Sequence, residues 1–125
     1  MIYNGVYRVK FYRNSRTGRS PVKDYIQNLE VKRRSKIYKY ICYLRDSGGY
    51  LDEPYTRHIQ GKVRELRIDF AHSRYRIFYF TFIEKNIILL HVFLKKTNET
   101  PNREIAIAIN NYNDYINNYN LYEKD

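Results

Sequence analysis

KVRELRIDF at residues 62–70, SRYRIFYFTFIEKN at 73–86 and IILLHVFLKK at 87–96 read as three consecutive strands joined by short turns, and they decide the fold. Each run is rich in β-branched and aromatic residues, which suit a pleated, half-buried surface. Val63 to Phe70, Arg74 to Ile83 and Ile87 to Leu94 are expected to form a meander with turns at Ala71-His72-Ser73 and Glu84-Lys85-Asn86. Cations stand inside or at the end of these runs: Arg64, Arg67, Arg74, Arg76, Lys95 and Lys96. An unpaired buried cation costs several kcal/mol. These side chains therefore need an anion, and a nucleic-acid backbone is the one the sequence points to.

Outward from the meander, Tyr7 to Tyr12 alternates and reads as a first strand that joins the others at an edge, ended by the turn Asn14-Ser15-Arg16-Thr17-Gly18. A helix follows, with Ser20 as N-cap, Pro21 at the first helical position and Asp24 in the first turn. Val22, Tyr25, Ile26 and Leu29 recur at helical spacing. After a break near Glu30 the pattern resumes with Ile37, Tyr40, Ile41 and Leu44, and Gly48-Gly49 ends it. The two pieces read as an antiparallel αα-hairpin whose apolar stripe lies on the sheet. Tyr50 to Gln60, polar and containing Pro54, reads as a connecting loop. After the turn from Thr97 to Pro101, a last helix carries Ile105, Ala108, Ile109, Tyr112 and Ile116 on one face, and residues 117 to 125 are expected to fray. The expectation is an α+β fold: a four-stranded, mainly antiparallel sheet with an N-terminal αα-hairpin and a C-terminal helix. It forms one domain over 1–125, with its core at about 6–116.

The chain has 125 residues, enough for one core. Twenty-three Lys and Arg against 13 Asp and Glu give a net charge of +10, which favours phosphate-rich partners and also suits an anionic membrane surface or an acidic protein. At 43% hydrophobic residues it is no charged disordered tail. It contains no apolar run of about 20 residues and no signal-peptide pattern, so a soluble, cytoplasmic protein is expected. Cys42 is the single cysteine, so an internal disulfide or a cysteine zinc site is excluded. Its setting among Tyr40, Ile41, Tyr43 and Leu44 reads as a packing position. Three scattered histidines without matched carboxylates argue against a metal site.

The order β, α, α, β, β, β, α, together with ELR at Glu65 to Arg67, RYRIFYF at Arg74 to Phe80, LLHVFLKK at Leu89 to Lys96 and TPNREIAIA at Thr100 to Ala108, resembles the HigB branch of the RelE-like toxins, often found as phage-derived proteins. The resemblance implies a toxin of a type II toxin-antitoxin system that cuts mRNA in the ribosomal A site. It also implies a cognate HigA-like helix-turn-helix antitoxin in a hetero-oligomer, and neither metal nor cofactor. Members break the bond between phosphate and 5′ oxygen, with the ribose 2′-hydroxyl as nucleophile. The family's tyrosine-arginine pair falls on Tyr75-Arg76, with the arginine assigned to the scissile phosphate. Its basic residue at the end of the last strand falls on Lys96, and those of the preceding strand on Arg64 and Arg67. Where the best-studied branch has a tyrosine early in the final helix, this chain has Glu104-Ile105.

The residues themselves fit such a reaction. It needs a group to take the 2′ proton, charge to stabilise the phosphorane and a proton for the 5′ oxygen. Arg76 suits the second role, since guanidinium stays charged and matches phosphate oxygens. Arg67, Lys95 and Lys96 complete the candidate catalytic set, the adjacent lysines being a setting in which like charge lowers an ammonium pKa. Arg57, His58, Lys62, Arg64 and Arg74 are candidates for RNA or ribosome contact. His58 reads either as a catalytic assistant or as a surface residue. His91 reads as a hydrogen-bonded core histidine and His72 as a solvated turn residue. The run Lys32-Arg33-Arg34-Ser35-Lys36 reads as a solvated helix face or as a contact with ribosomal RNA. Tyr75, Phe78, Tyr79 and Phe80 read as core more readily than as base-stacking platforms. Two other functions remain open: a gyrase-inhibiting toxin of the same fold, which Lys95-Lys96 disfavours, and a non-catalytic nucleic-acid-binding regulatory module.

Overall fold

The computed structural model describes residues 7–83 and 85–121. Its elements are β1 (Arg8–Phe11), α1 (Pro21–Gln27), α2 (Val31–Asp46), β2 (Thr56–Gln60), β3 (Val63–Phe70), β4 (Ser73–Phe82), β5 (Asn86–Leu94) and α3 (Asn102–Asn118), followed by a 3₁₀ turn at Tyr119–Leu121. The expected meander is present and the class is α+β. The sheet, however, has five strands rather than four, in the order β1-β5-β4-β3-β2. The added strand is β2, taken from sequence as part of a loop. It pairs antiparallel with β3 through Thr56↔Leu66, Arg57↔Glu65 and His58↔Arg64, and Gly61, at φ 57°, turns the chain between them. An edge strand tolerates polar residues outward, so its exposed Arg57, His58 and Gln60 hid it. β1 runs parallel to β5 at the opposite edge, with Arg8 beside Asn86 and Phe11 beside Leu89.

The alternation of β3, β4 and β5 feeds two cores. On one face Leu66, Ile68, Tyr75, Ile77, Tyr79 and Leu89 meet Val22 and Ile26 of α1 and Ile37, Ile41 and Leu44 of α2. On the other, Phe78, Phe80, Ile88 and Leu90 meet Ala108, Tyr112 and Tyr115 of α3, with the Phe80 and Tyr112 rings edge to face at 4.7 Å. Tyr75, Phe78, Tyr79 and Phe80 are all at most 3% exposed, so all four are core. α3 continues through Asn118, whose amide donates to the Asp114 carbonyl at 3.0 Å, and Tyr119 packs on Phe82. The helix thus holds past the point where fraying was expected. Residues 122–125, and the turn residue Glu84, lie outside the described residues.

Two expectations about side chains are corrected. Cys42 is exposed, because α2 buries Ile37, Ile41 and Leu44 and position 42 lies off that stripe. Arg33 is neither a bare solvated cation nor free for RNA. Its Nη1 donates to Ser73 Oγ and Tyr75 Oη, each at 2.8 Å, and its Nε sits 3.3 Å from a Glu30 carboxylate oxygen. It therefore bolts α2 to the start of β4. Among the described residues, no helix is long and apolar enough to cross a membrane.

Candidate functional site

α3 packs over Phe78, Phe80, Ile88 and Leu90. Toward the far ends of β3 and β5 the same face of the sheet becomes charged. Strand alternation and register place Arg57, Glu65, Arg67, Asp69, Arg74 and Arg76 there, with Arg57 opposite Glu65, Arg67 opposite Arg76 and Asp69 opposite Arg74. Lys95 joins them, because its backbone N–H donates to the Arg74 carbonyl at 2.8 Å just past the end of β5. Three of these side chains are buried: Glu65 at 0%, Arg76 at 1% and Lys95 at 6% exposure.

The anion that the buried cations require is thus supplied from within the protein, which the cation-centred reading of the strands overlooked. Arg76 Nη1 donates to Asp69 Oδ1 at 2.8 Å and to the Tyr75 carbonyl at 3.0 Å. Glu65 lies at the centre. Arg67 Nε is 3.6 Å from Glu65 Oε1, near enough to pair but too long for a hydrogen bond, and neither carboxylate oxygen accepts one. Burial pushes the Glu65 carboxyl above the ordinary glutamate range, and the pull of Arg76, Arg67, Lys95 and Arg57 does not cancel that push. Burial likewise depresses the Lys95 ammonium, against the support of Glu65 and with further depression from Arg76, Arg67 and Arg74. Five cations share two carboxylates, and Arg67 Nε and Arg76 Nε are buried without hydrogen-bond acceptors. The cluster keeps unused capacity for an anion.

A groove of about 420 Å³ opens beside the cluster, lined by Tyr25, Phe93, Lys95, Lys96, Arg103 and Glu104. At its edge lies a pair that the sequence reading missed. His91 Nε2 is 2.7 Å from Glu104 Oε1, and each side chain is 13% exposed. Arg103 stands 3.7 Å from the other Glu104 oxygen. The His91 ring stacks on Phe93, at 5.8 Å and 19°, and Phe93 is the cross-strand neighbour of Arg76. His91 is hydrogen-bonded as expected, but its partner is a carboxylate from another element. A carboxylate on one ring nitrogen fixes the imidazole's orientation and leaves the other ring nitrogen to face its own surroundings. The motif containing Glu104 was visible, but only the packing of α3 on β5 brings it to His91.

The other candidate residues separate into two groups. Arg57 is exposed and Arg74 half-buried on the face of the cluster, and Lys96 is exposed at the groove. Arg64 and His58 face the other way by register. Arg64 donates to Thr56 Oγ1 at 3.1 Å and covers the Tyr50 ring, and His58 Nε2 contacts the Gly61 carbonyl at 2.8 Å. Lys62 is exposed in the β2–β3 turn, and His72 is exposed in the turn before β4. Arg57, Arg67, Arg74, Arg76 and Lys95 thus come together, while Arg64, His58 and Lys62 stand apart from them. Among the described residues no group of His, Cys, Asp and Glu is arranged to hold a metal ion.

No curated protein matches the chain. Residues 24–113 match a family model described as Phage derived protein Gp49-like (DUF891), from within α1 almost to the end of α3. That span covers the cation cluster, the groove and the His91–Glu104 pair in one continuous match. The chain therefore belongs to the Gp49-like family of phage-derived proteins, a RelE/ParE-like toxin family associated with toxin-antitoxin systems.

Proposed function

We propose that this protein is a ribosome-dependent mRNA endonuclease restrained by a HigA-like helix-turn-helix antitoxin, and that the cluster around Glu65 is where it handles the scissile phosphate. The observation that carries the reading is five cations sharing two carboxylates beside an open groove, two of the arginines having buried Nε donors without acceptors. A phosphorane carries more negative charge than the phosphodiester from which it forms, so preorganised cations favour the transition state over the bound substrate. Arg67, half-buried, reaches the phosphate from the rim. Arg76 lies beneath at 1% exposure and contributes its charge and the placement of its neighbours.

Proton transfer falls to the two groups whose settings suit it. His91, oriented by Glu104, accepts the proton of the 2′-hydroxyl as the 2′ oxygen forms its bond to phosphorus. Lys95, with its depressed ammonium, gives a proton to the 5′ oxygen as the P–O5′ bond breaks. The products are a 2′,3′-cyclic phosphate and a 5′-hydroxyl end, and solvent later exchanges the protons on His91 and Lys95. Orientation of the mRNA comes from the ribosome, since positioning supplies much of the rate in reactions of this kind. Pulse expression with mapping of mRNA 5′ ends, followed by cleavage assays of the purified protein on programmed ribosomes and on naked RNA, tests the proposal. In-frame ends and ribosome-dependent cutting are expected. Equal cutting of naked RNA, or none on ribosomes, overturns it.

A further inference from the structure

Residues 7–23, YRVKFYRNSRTGRSPVK, hold six cations and no Asp or Glu. None of the six belongs to the cluster around Glu65. The fold makes a stiff loop of the middle of this stretch. Asp114 of α3 accepts from Tyr12 Oη at 2.6 Å, from the Ser15 backbone at 3.0 Å and from Ser15 Oγ at 2.5 Å. Asn14 Oδ1 accepts from the N–H groups of Arg16 and Thr17, and the Ser20 hydroxyl donates to the Tyr12 carbonyl rather than capping α1. Gly18 closes the turn at φ +74°, in open space. A cavity of about 500 Å³ lies between this loop, β1 and α1. Lys10, Arg13, Arg19 and Lys23 surround it, and among the described residues Asp24 is the one acid in its lining.

We infer that this cavity is an anchor for the backbone phosphates of structured RNA, separate from the cutting site. The inference rests on the RNA-cutting reading above. Charge without base readout is what the lining offers: Tyr115 is buried, Phe11 is half-buried, and among the described residues no exposed aromatic ring lines the cavity for a base to stack on. The hot spots of a protein interface are enriched in Trp and Tyr as well as Arg; among the described residues the exposed large apolar side chains are Val31, Tyr43, Tyr50, Tyr55, Ile83, Leu94 and Ile107, and none of them lines the cavity. The sheet order sets the scale of the ligand. β1 lies three strand spacings from β3, roughly 14 Å at about 4.8 Å each. One ligand that reaches both sites is therefore a polymer with a folded surface, not a nucleotide.

The test measures binding of the full-length protein to purified small ribosomal subunits across a range of salt concentrations. It compares the wild type with Arg19→Glu/Lys23→Glu, and with Lys39→Glu/Lys85→Glu, which makes the same change in net charge elsewhere. Arg19, Lys23, Lys39 and Lys85 are all exposed, and far-UV circular dichroism confirms that each variant folds. Each lost phosphate contact lowers the slope of log affinity against log salt by about 0.7–0.9. The Arg19/Lys23 variant is expected to lose about 1.5 in slope and at least about tenfold in affinity relative to the charge-matched control. Equal slopes in the two variants overturn the anchor and leave the cutting site standing. If the wild type shows no salt-dependent binding to the subunits, the RNA reading falls and takes the anchor with it. Binding of polyglutamate that the Arg19/Lys23 variant alone loses, with subunit binding intact, overturns the anchor in favour of an acidic protein segment.

Discussion

Glu65→Gln separates what the buried carboxylate does for stability from what it does for chemistry. The amide has nearly the volume of the acid, so no cavity forms, and the position already lacks hydrogen-bond donors to its oxygens. Two effects compete. Removing the anion from among buried cations costs stability, whereas removing a carboxylate that sits badly in the core restores it. The upward direction of the Glu65 pKa decides the sign: the charged form is worse off in the folded protein than in water, even with Arg76, Arg67, Lys95 and Arg57 nearby. A carboxyl whose folded pKa lies above its unfolded value makes stability fall as pH rises from about 4.5 through the folded pKa. Each unit of elevation is worth about 1.4 kcal/mol, or about 5 °C in Tm for a domain of this size. The variant should match the wild type near pH 4 and melt higher at pH 7. Its cleavage rate on ribosomes should nevertheless fall by about tenfold or more, because Glu65 supports the Lys95 ammonium and gathers the cations around it. Thermal unfolding at both pH values, with single-turnover cleavage on programmed ribosomes, reads both effects. A variant less stable at pH 7 than the wild type, with the gap closing in acid, would show that the cations win and refute the reasoning.

Three further outcomes are expected. His91→Gln and Glu104→Gln should each slow single-turnover cleavage about 100-fold, the double variant should be little worse than either, and imidazole should restore part of the rate of His91→Ala; additive losses would separate the two residues. Arg76→Ala should cost about 3–5 kcal/mol, because it leaves Glu65 with one cation fewer and opens a void under a side chain only 1% exposed; a urea denaturation midpoint close to that of the wild type contradicts this. Arg33→Met should release α2 from Ser73 and Tyr75, seen as faster amide exchange at the start of β4 without loss of the global transition; unchanged exchange there would show that the contacts do not hold the helix.

What was readable in the sequence followed from burial on both faces. β3, β4 and β5 are central strands, and their near-continuous apolar runs located them to within a residue or two. β2 has only one face to bury and an edge to expose, so Arg57, His58 and Gln60 masked it. The cation-bearing face was legible as charge but not as geometry. Glu65 sits in the same motif as Arg67, yet its part as the common counter-ion depends on the register that puts it among Arg57, Arg67 and Arg76. Arg64 was indistinguishable from Arg67 in one dimension, and the odd offset between them sends it to the opposite face. The meeting of His91 with Glu104 depends on α3 folding back over β5, and no local pattern announces that.

The parallel pairing of β1 with β5 also bears on how the chain comes into being. Arg8 stands beside Asn86, and the bond from Tyr12 to Asp114 spans 102 positions. Closing loops of that size costs entropy that is repaid only when the distant partner exists. During synthesis the first strand must therefore wait, while the hairpins of β2 to β5 form from near neighbours as they emerge. The loop carrying Arg13, Arg16 and Arg19 takes its final shape only after α3 has left the exit tunnel. Until α3 has been made, the nascent protein has no completed β1 edge, and the order of assembly runs from β2–β5 outward.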